Sequence, residues 1–334
     1  MKKYLTDLFR AGKGDQMVSD VGIASVGELL VELVRMDKNS HHLTAGLYQG
    51  PFASGAPGIF IDQAAKVGGR CIFVGAVGDD AFGKVILGRL RANHVDTRLI
   101  RTLAGVLTGS AFVSYNEDGS RDFVYNIARS AATQFGGDTD IAELAAFNLA
   151  YLHVSGAALG DAGMCSKILG ICRALHAKGV RISFDPNVRK ELIDSPDYFA
   201  AVREIMSMCV VFLPSDDDAE ALFPGQSLEA FSPALFNLGI EHIVLKRGAH
   251  GCRVLSAGGE HFKLAAHSVD VLDPTGAGDC FCATFVTLLA SKRFSLEQVL
   301  QRANSAGALA VTKIGPMEGN SDLATIEAFL DTRG

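Results

Sequence analysis

The protein has 334 residues, of which 48% are hydrophobic and 20% are charged. Such a chain can bury a large core, and its length suits two domains or one large α/β domain with an appended part. The formal net charge of −6 argues against a nucleic-acid partner, which would select a basic surface. No apolar run approaches the roughly 18 residues that a membrane-spanning helix needs.

The first residues include lysines but lack the apolar core of a signal peptide. We expect residues 1–17 to form a flexible tail, with Met1 or Met17 as the natural start, and residues 18–334 to form one domain. The seven cysteines contain no C-x-x-C pair and mostly lie among apolar residues, which is typical of buried thiols in a reducing compartment. The sequence therefore predicts a cytoplasmic protein.

Short apolar runs alternate with amphipathic stretches along most of the chain, which indicates a parallel sheet covered by helices. The predicted strands lie at 21–27, 71–78, 149–156, 180–187, 209–215 and 242–248. The predicted helices lie near 58–68, 81–93, 161–178, 196–208 and 227–238. Many of these strands end in Gly, Asp, Asn or Ser. Because ligands of open α/β sheets bind beyond the carboxyl ends of the strands, we expect the functional site at that edge.

Two regions interrupt this alternation. Residues 28–54 mix short apolar pairs with polar residues, and residues 97–127 are typical of strands joined by a hairpin turn at "NEDG" (116–119). A small sheet inserted into the α/β body, packed over one end as a lid, explains both regions. A further hairpin with a Gly-Gly turn is predicted at 251–266, and the remainder of the chain is predicted to be mostly helical.

The stretch "DPTGAGDCF" (273–281) places only small residues between Thr275 and a second aspartate. Asp273 precedes a proline and is expected to end a strand, and the apolar run that follows predicts a helix beginning around 276–279. A glycine-rich helix N-terminus offers backbone N–H groups to an anion such as phosphate. Asp279 beside a phosphate suits a general base that takes a proton from an attacking hydroxyl. The alternative is a first-turn carboxylate favoured by the helix dipole.

Several motifs in chain order resemble the ribokinase-like (PfkB) family of sugar kinases over about residues 20–320. "DPTGAGDCF" resembles the family's C-terminal signature. "SGAPGIFIDQAAKVGG" (54–69), followed by "VGAVGDDAFG" (74–83), is similar to its N-terminal signature. The other similar segments are "FDPNVR" (184–189), "LPSDDDAE" (213–220), "VLKRGAHG" (244–251) and "RANSAGALAVTKIG" (302–315). The resemblance implies an α/β three-layer sandwich with a mainly parallel central sheet and a small β-sheet lid.

The resemblance also implies an activity, namely ATP-dependent transfer of the γ-phosphoryl group to a primary hydroxyl of a monosaccharide, with Mg²⁺ and, as an open question, K⁺. The partners are then a sugar and ATP, with no nucleic acid and no membrane. Lid sheets of this family often pair between subunits, and an exposed sheet edge invites such pairing, so we expect a homodimer. A non-catalytic sugar-binding regulator would be expected to lose Asp279 or the Gly-Ala-Gly turn, and this chain keeps both.

By this resemblance, Asp279 is the catalytic base. The backbone of Gly276, Ala277 and Gly278 forms the anion hole for the charge that develops on the γ-phosphate. Asp273 lies where family members often help to hold a monovalent cation, which is the role that K⁺ would fill here.

The resemblance places the nucleotide and its Mg²⁺ on a second group of residues: Lys246, Gly248, Gly251, Asn304, Ser215 and Asp218. Asn304 falls where the family lines the adenine site. Asp218 keeps a carboxylate for the water shell of Mg²⁺, because the family's N-x-x-E segment appears here as residues 215–218. A helix cap is the alternative for these acids, and a solvent-exposed strand end is the alternative for Lys246.

The sugar-contacting residues implied by the resemblance are Gly55, Ala56, Glu28 and Arg189; Glu28 could instead pair within the lid. Ile59 replaces the asparagine of the family signature, which removes one polar contact to sugar hydroxyls. The arginine that relatives acting on 2-keto-3-deoxygluconate often carry is replaced by Ile127, with Arg129 two residues on. We therefore favour a ketohexose such as fructose or tagatose, with 2-keto-3-deoxygluconate as the nearest alternative and a nucleoside as a further one.

Overall fold

The computed structural model describes residues 21–117, 120–136, 138–188 and 196–332. The predicted tail and Arg189 lie outside these residues, as do two residues of the predicted "NEDG" turn. The strands are β1 (Gly22–Val26), β2 (Leu30–Arg35), β3 (Tyr48–Ser54), β4 (Arg70–Gly78), β5 (Ile100–Leu103), β6 (Gly109–Tyr115), β7 (Arg121–Asn126), β8 (Leu149–Ser155), β9 (Arg181–Asp185), β10 (Cys209–Phe212), β11 (His242–Lys246), β12 (Cys252–Ser256) and β13 (His261–Leu264). The helices are α1 (Ala56–Lys66), α2 (Ala81–Ala92), α3 (Asp138–Ala146), α4 (Ala162–His176), α5 (Pro196–Met206), α6 (Asp216–Leu222), α7 (Leu228–Asn237), α8 (Ala277–Ser291), α9 (Leu296–Ala310) and α10 (Leu323–Asp331).

A nine-stranded sheet in the order β13-β12-β11-β10-β9-β8-β1-β4-β5 forms the centre of the molecule. The strands from β11 to β5 pair in parallel, and β12 and β13 join them antiparallel. The six strands predicted for the body are confirmed as neighbours in this sheet, because continuous apolar runs suit strands covered on both faces. β5 pairs with β4 at the edge of this sheet, so the range 97–127 predicted for the lid includes one strand of the body.

Helices cover both faces of the central sheet and make three layers. Alternate residues of each strand enter two separate cores; in β4, Phe73 lies in one core and Val74 in the other. The first core receives α1, α2, α8, α9 and α10, and the second receives α3, α4, α5 and α7. The predicted three-layer α/β class is confirmed.

A separate four-stranded sheet in the order β3-β2-β6-β7 forms the lid. β2 and β6 pair in parallel, and the outer strands β3 and β7 join them antiparallel. β2 and β3 pack against α2 of the body. The lid therefore takes its strands from both regions in which the alternation of strand and helix breaks.

The buried imidazole of His153 in the body has a polar partner. His153 is 1% exposed, its Nδ1 lies 3.0 Å from Ser183 Oγ, and its ring stacks on Phe60 with centroids 3.6 Å apart. The seven cysteines are free, and six of them are buried, as their apolar surroundings predict. None of the helices in the described ranges combines the length and the apolar content that crossing a bilayer requires.

Candidate active site

The turn before α8 has the geometry that the glycine-rich stretch predicts. Gly276 caps the helix with φ +81°, a left-handed conformation that favours glycine. A Cβ at Gly276 would collide with the carbonyl oxygen of Pro316, so glycine also permits the close approach of the loop at 311–320. Cys280 N–H donates to Gly276 O at 2.8 Å as the first bond of the helix, and the amides of Ala277 and Gly278 lie ahead of it. These amides and the helix dipole suit an anion.

Asp279 is the third residue of α8 and is 8% exposed. Its carboxylate therefore belongs to the same first turn as the amides that suit an anion. The structure brings Asp279 and residues 276–278 together, as the sequence predicts, at the carboxyl edge of the central sheet.

Asp273 anchors this turn from beneath. Its Oδ1 accepts the N–H of Thr275 at 2.9 Å, and its Oδ2 accepts the N–H of Gly315 at 2.9 Å. The hydroxyl of Tyr115 donates to the same carboxylate, which is 1% exposed. All three groups donate hydrogen bonds to Asp273 and so occupy oxygen lone pairs that a cation would need. These contacts favour an anchor over a cation ligand, and the predicted K⁺ role of Asp273 stays a prediction.

Lys246 at the end of β11 forms an ion pair with Asp185 at the end of β9, and only 13% of the Lys246 side chain is exposed. The alternative of a lysine in solvent is therefore wrong. Burial disfavours the ammonium, but the carboxylate of Asp185 outweighs it, and the pKa of Lys246 is raised. Its Nζ lies 3.7 Å from the position of a Cβ on Gly278 and 3.5 Å from Cys282 Sγ. A fixed positive charge thus lies beside the first turn of α8.

Asp218 and Ser215 form a capping box at the start of α6. Asp218 Oδ2 accepts from Ser215 N and Oγ at 2.7 Å each, and its Oδ1 accepts from Val188 N at 2.7 Å. The helix cap considered for these acids is therefore present. No group of three or more metal-ligating side chains occurs within the described ranges. Mg²⁺ at nucleotide sites is often held by only one or two carboxylates, together with phosphates and waters. Because both oxygens of Asp218 already accept hydrogen bonds, Asp218 fits such a site only through a water of the Mg²⁺ shell.

The glycines of the nucleotide-binding stretch shape a tight connection between β11 and β12. Gly248 has φ +50° and Gly251 has φ +86°, and a Cβ at Gly251 would collide with Leu264 O. Asn304 on α9 donates its side-chain amide to Ala265 O at 2.8 Å. The structure therefore brings Gly251 and Asn304 to the same segment, residues 264–265. There an open cleft of about 590 Å³ is lined by residues that include Leu264, Ala265, His267, Arg302, Asn304 and Glu327.

Three of the predicted sugar-contacting residues, Glu28, Gly55 and Ala56, meet where the lid joins the body. Gly55 has φ +105°, and a Cβ there would lie 2.5 Å from Glu28 O; Ala56 begins α1. Glu28 is 6% exposed. Ile59 Cγ2 lies 3.2 Å from the position of a Cβ on Gly276, so this side chain is next to the turn before α8. Arg189 lies outside the described residues.

Three residues of this region were missed in the sequence. Glu32 on β2 is 3% exposed and accepts Ser54 Oγ at 3.2 Å; an acid within the apolar run of a strand was the available signal. Asp185 ends a strand, which was a signal for the site edge. Tyr115 carried no local signal, because its partners are more than 150 residues away in the chain.

Comparisons with known proteins agree with this geometry. The profile described as "pfkB family carbohydrate kinase" matches residues 22–323. A relative named "Probable fructokinase-2" from Arabidopsis thaliana is 30% identical over 312 residues, which cover 88% of this chain and 91% of that protein.

Two solved structures share the fold. One is an E. coli protein provisionally named ribokinase II, in complex with ATP and Mg²⁺, with a TM-score of 0.87, 35% identity and coverage of 94% of this chain and all of that one. The other is a fructokinase double mutant from Vibrio cholerae O395 bound to fructose, ADP and a potassium ion, with a TM-score of 0.77 and 26% identity. That match covers 93% of this chain and 99% of the other.

Proposed function

The chain belongs to the pfkB family of carbohydrate kinases, and we propose that it transfers the γ-phosphoryl group of ATP to a primary hydroxyl of a ketohexose of the fructose or tagatose type. The observation that carries the proposal is the position of Asp279, in the first turn of α8 beside the Gly276 turn. The ketohexose is supported by relatives named fructokinases and by the fructose bound to the V. cholerae enzyme.

The chemistry is an in-line displacement at phosphorus. The Asp279 carboxylate takes the proton of the sugar hydroxyl, whose oxygen bonds to the γ-phosphorus while the bond to the bridging oxygen breaks and ADP leaves. The amides of Ala277 and Gly278 and the ammonium of Lys246 offset the negative charge on the transferred group. A carboxylate in the first turn of a helix suits this role, because its place is fixed before the substrate arrives.

ATP is proposed to lie across the turn at Gly248 and Gly251, with its base towards the cleft beside Asn304. The ATP and Mg²⁺ of the E. coli relative support this assignment. Mg²⁺, when bound, would draw charge from the phosphates, and Asp218 would reach it through a water of its shell. Asp218 and the turn at Gly248 and Gly251 follow the parallel neighbours β10 and β11, whose carboxyl ends lie at the same edge of the sheet.

The lid is proposed to cover the sugar and exclude water that would otherwise hydrolyse ATP. Glu28, Gly55 and Ala56 would contact the sugar, and Glu32 adds a buried acid on the neighbouring lid strand. Ile59 would present an apolar surface where the family signature has an amide. The sugar pocket would therefore offer fewer polar contacts to the sugar than the family signature predicts.

The lid is also proposed to pair with a second copy of the chain. Large apolar side chains are exposed on it, among them Met36, Leu43 and Leu47 around the β2–β3 connection and Val124 and Tyr125 on β7. β3 and β7 are its edge strands, and uncovered edges favour pairing. Sedimentation of the wild-type protein should give a dimer, and a monomer over the micromolar range would contradict this part of the proposal.

The substrate is tested by measuring ATP consumption with fructose, tagatose, aldohexoses, pentoses, 2-keto-3-deoxygluconate and nucleosides. We expect the highest kcat/KM with fructose or tagatose. A preference for 2-keto-3-deoxygluconate would keep the kinase and correct the sugar. No sugar-dependent ADP formation with any of them would contradict the proposed function.

A further inference from the structure

Tyr115 joins the lid to the catalytic turn. It is the last residue of β6, a lid strand, and its hydroxyl donates to Asp273 and lies 2.8 Å from Thr275 Oγ1. Asp273 and Thr275 belong to the segment that leads directly into Gly276 and α8. One hydroxyl of the lid therefore contacts two residues of the turn that forms the proposed anion hole.

A second lid contact converges on the same carboxylate. Phe52 of β3 lies against the loop at 311–320, with its Cδ1 2.8 Å from the position of a Cβ on Gly315. Gly315 in turn donates its N–H to Asp273 Oδ2 at 2.9 Å. Asp273 thus receives hydrogen bonds from the lid, from the turn and from the loop that the lid touches. A movement of the lid would change the hydrogen bond from Tyr115 directly and the one from Gly315 through Phe52.

The hydroxyl of Tyr115 is built to remain a donor. Burial, followed by the neighbouring charge of Asp273, raises the pKa of Tyr115, so the hydroxyl keeps its proton at neutral pH. A hydrogen bond from a hydroxyl to a buried carboxylate is stronger than one between neutral groups. The contact can therefore hold the carboxylate in place and is not an incidental neighbour of it.

We propose that Tyr115 is a positioning residue for phosphoryl transfer, whose hydroxyl holds Asp273 and Thr275 so that the turn before α8 takes its productive form when the lid lies over the site. The kinetic part of this inference rests on the proposed kinase activity; the structural part does not. The inference assigns to Tyr115 no contact with the sugar or the phosphates. Its effect reaches the reaction through the backbone of residues 273–278.

Tyr115→Phe removes the hydroxyl and keeps the ring, so the packing of the lid is preserved. Tyr151→Phe is the matched control, because Tyr151 is buried and its hydroxyl also meets a charged side chain, that of Arg181 at 2.9 Å. Arg181 is the first residue of β9, so this pair lies at the sheet edge opposite the site. Two readouts are used: steady-state kinetics with the best sugar, and hydrogen–deuterium exchange of the Thr275 and Gly315 amides.

We expect kcat of Tyr115→Phe to fall about 10- to 100-fold with KM for ATP changed by less than about threefold, the scale of one hydrogen bond to a charged group. We expect the Thr275 and Gly315 amides to exchange at least about threefold faster. Tyr151→Phe should leave both readouts unchanged.

Wild-type kcat in Tyr115→Phe would overturn the inference, even if exchange rises. An equal loss of kcat in Tyr151→Phe would also overturn it, because the effect would then be a general loss of packing. If the wild-type protein phosphorylates no sugar, the proposed function fails and exchange alone decides: unchanged exchange at Thr275 and Gly315 would overturn the structural role of Tyr115.

Discussion

The ammonium nitrogen of Lys246 lies 3.7 Å from the position that a Cβ would take on Gly278. A positive charge therefore lies beside Gly278, the residue before Asp279, where we propose that it offsets the negative charge that develops in phosphoryl transfer. It is held there by Asp185, which is 2% exposed. A buried ion pair of this kind contributes little net stability, but removing one partner leaves the other charge uncompensated.

Lys246→Met should therefore lower the free energy of unfolding by about 3–5 kcal/mol, measured by urea denaturation. Asp185→Asn added to Lys246→Met should regain most of that stability, because no buried charge is then left alone. The double variant should still phosphorylate sugar at least tenfold more slowly than the wild type. A Lys246→Met protein as stable as the wild type would contradict the buried pair.

Gly276→Ala should distort the turn before α8, because a Cβ there would collide with Pro316 O and the residue has φ +81°. We expect a loss of more than about 1 kcal/mol of stability and at least a tenfold loss of kcat, since small displacements at a reacting centre are costly. Gly88→Ala is the control, because Gly88 lies within α2 and a Cβ there meets no described atom within 4 Å. It should stabilise the protein by about 0.5–1 kcal/mol. Equal behaviour of the two variants would contradict the assigned geometry.

Variants of Ser215 and Asp218 distinguish a helix-capping role from a role in Mg²⁺ binding. Ser215→Ala should cost about 1 kcal/mol of stability as a lost N-cap and leave the Mg²⁺ requirement unchanged. Asp218→Asn should raise the Mg²⁺ concentration for half-maximal activity about tenfold, the usual effect of an outer-sphere group. The measurement is initial rate against free Mg²⁺ at saturating sugar. If both variants keep the wild-type requirement, Asp218 is only a cap.

His153 predicts a loss of stability in mild acid. Burial, followed by the charge of Lys246, lowers its pKa well below the ordinary 6.5. The unfolded chain then binds a proton below about pH 6.5 that the folded chain does not, so stability falls as the pH falls through that range, by about 1.4 kcal/mol per pH unit. His153→Gln should make the slope between pH 6.5 and 5.5 shallower by about that amount in urea titrations. His176→Gln, on the exposed face of α4, should keep the wild-type slope; an identical slope in both variants would refute this.

Features that depend on local chemistry could be predicted from the sequence. The body strands follow from continuous apolar runs, and the start of α8 follows from Pro274 and the glycines around Gly276. The four-residue strand β5 could not be assigned to a sheet, because a run as short as "IRTL" has no pattern that distinguishes one sheet edge from another. Its place at the edge of the body depends on its pairing with β4.

The parts of the site that lie within one sequence motif could be predicted, and the parts formed by segments distant in the chain could not. Asp279 and Gly276 share a single stretch of nine residues, so their proximity is implied by the sequence itself. Tyr115 reaches Asp273 across 158 residues, and Lys246 reaches Asp185 across 61 residues. The sequence left a solvent-exposed Lys246 open as an alternative, because no residue near Lys246 in the chain indicates that Asp185 pairs with it.

The most direct test of Asp279 as the general base is the turnover of Asp279→Asn, followed as sugar-dependent ADP formation at saturating ATP and Mg²⁺. Glu297→Gln is the matched control, because it also neutralises a carboxylate in the first turn of a helix, α9, but on the exposed surface. We predict that kcat of Asp279→Asn falls about 10²- to 10⁴-fold, the scale of a positioned general base, while Glu297→Gln keeps wild-type turnover. Full turnover in Asp279→Asn would contradict the assignment of Asp279 as the base.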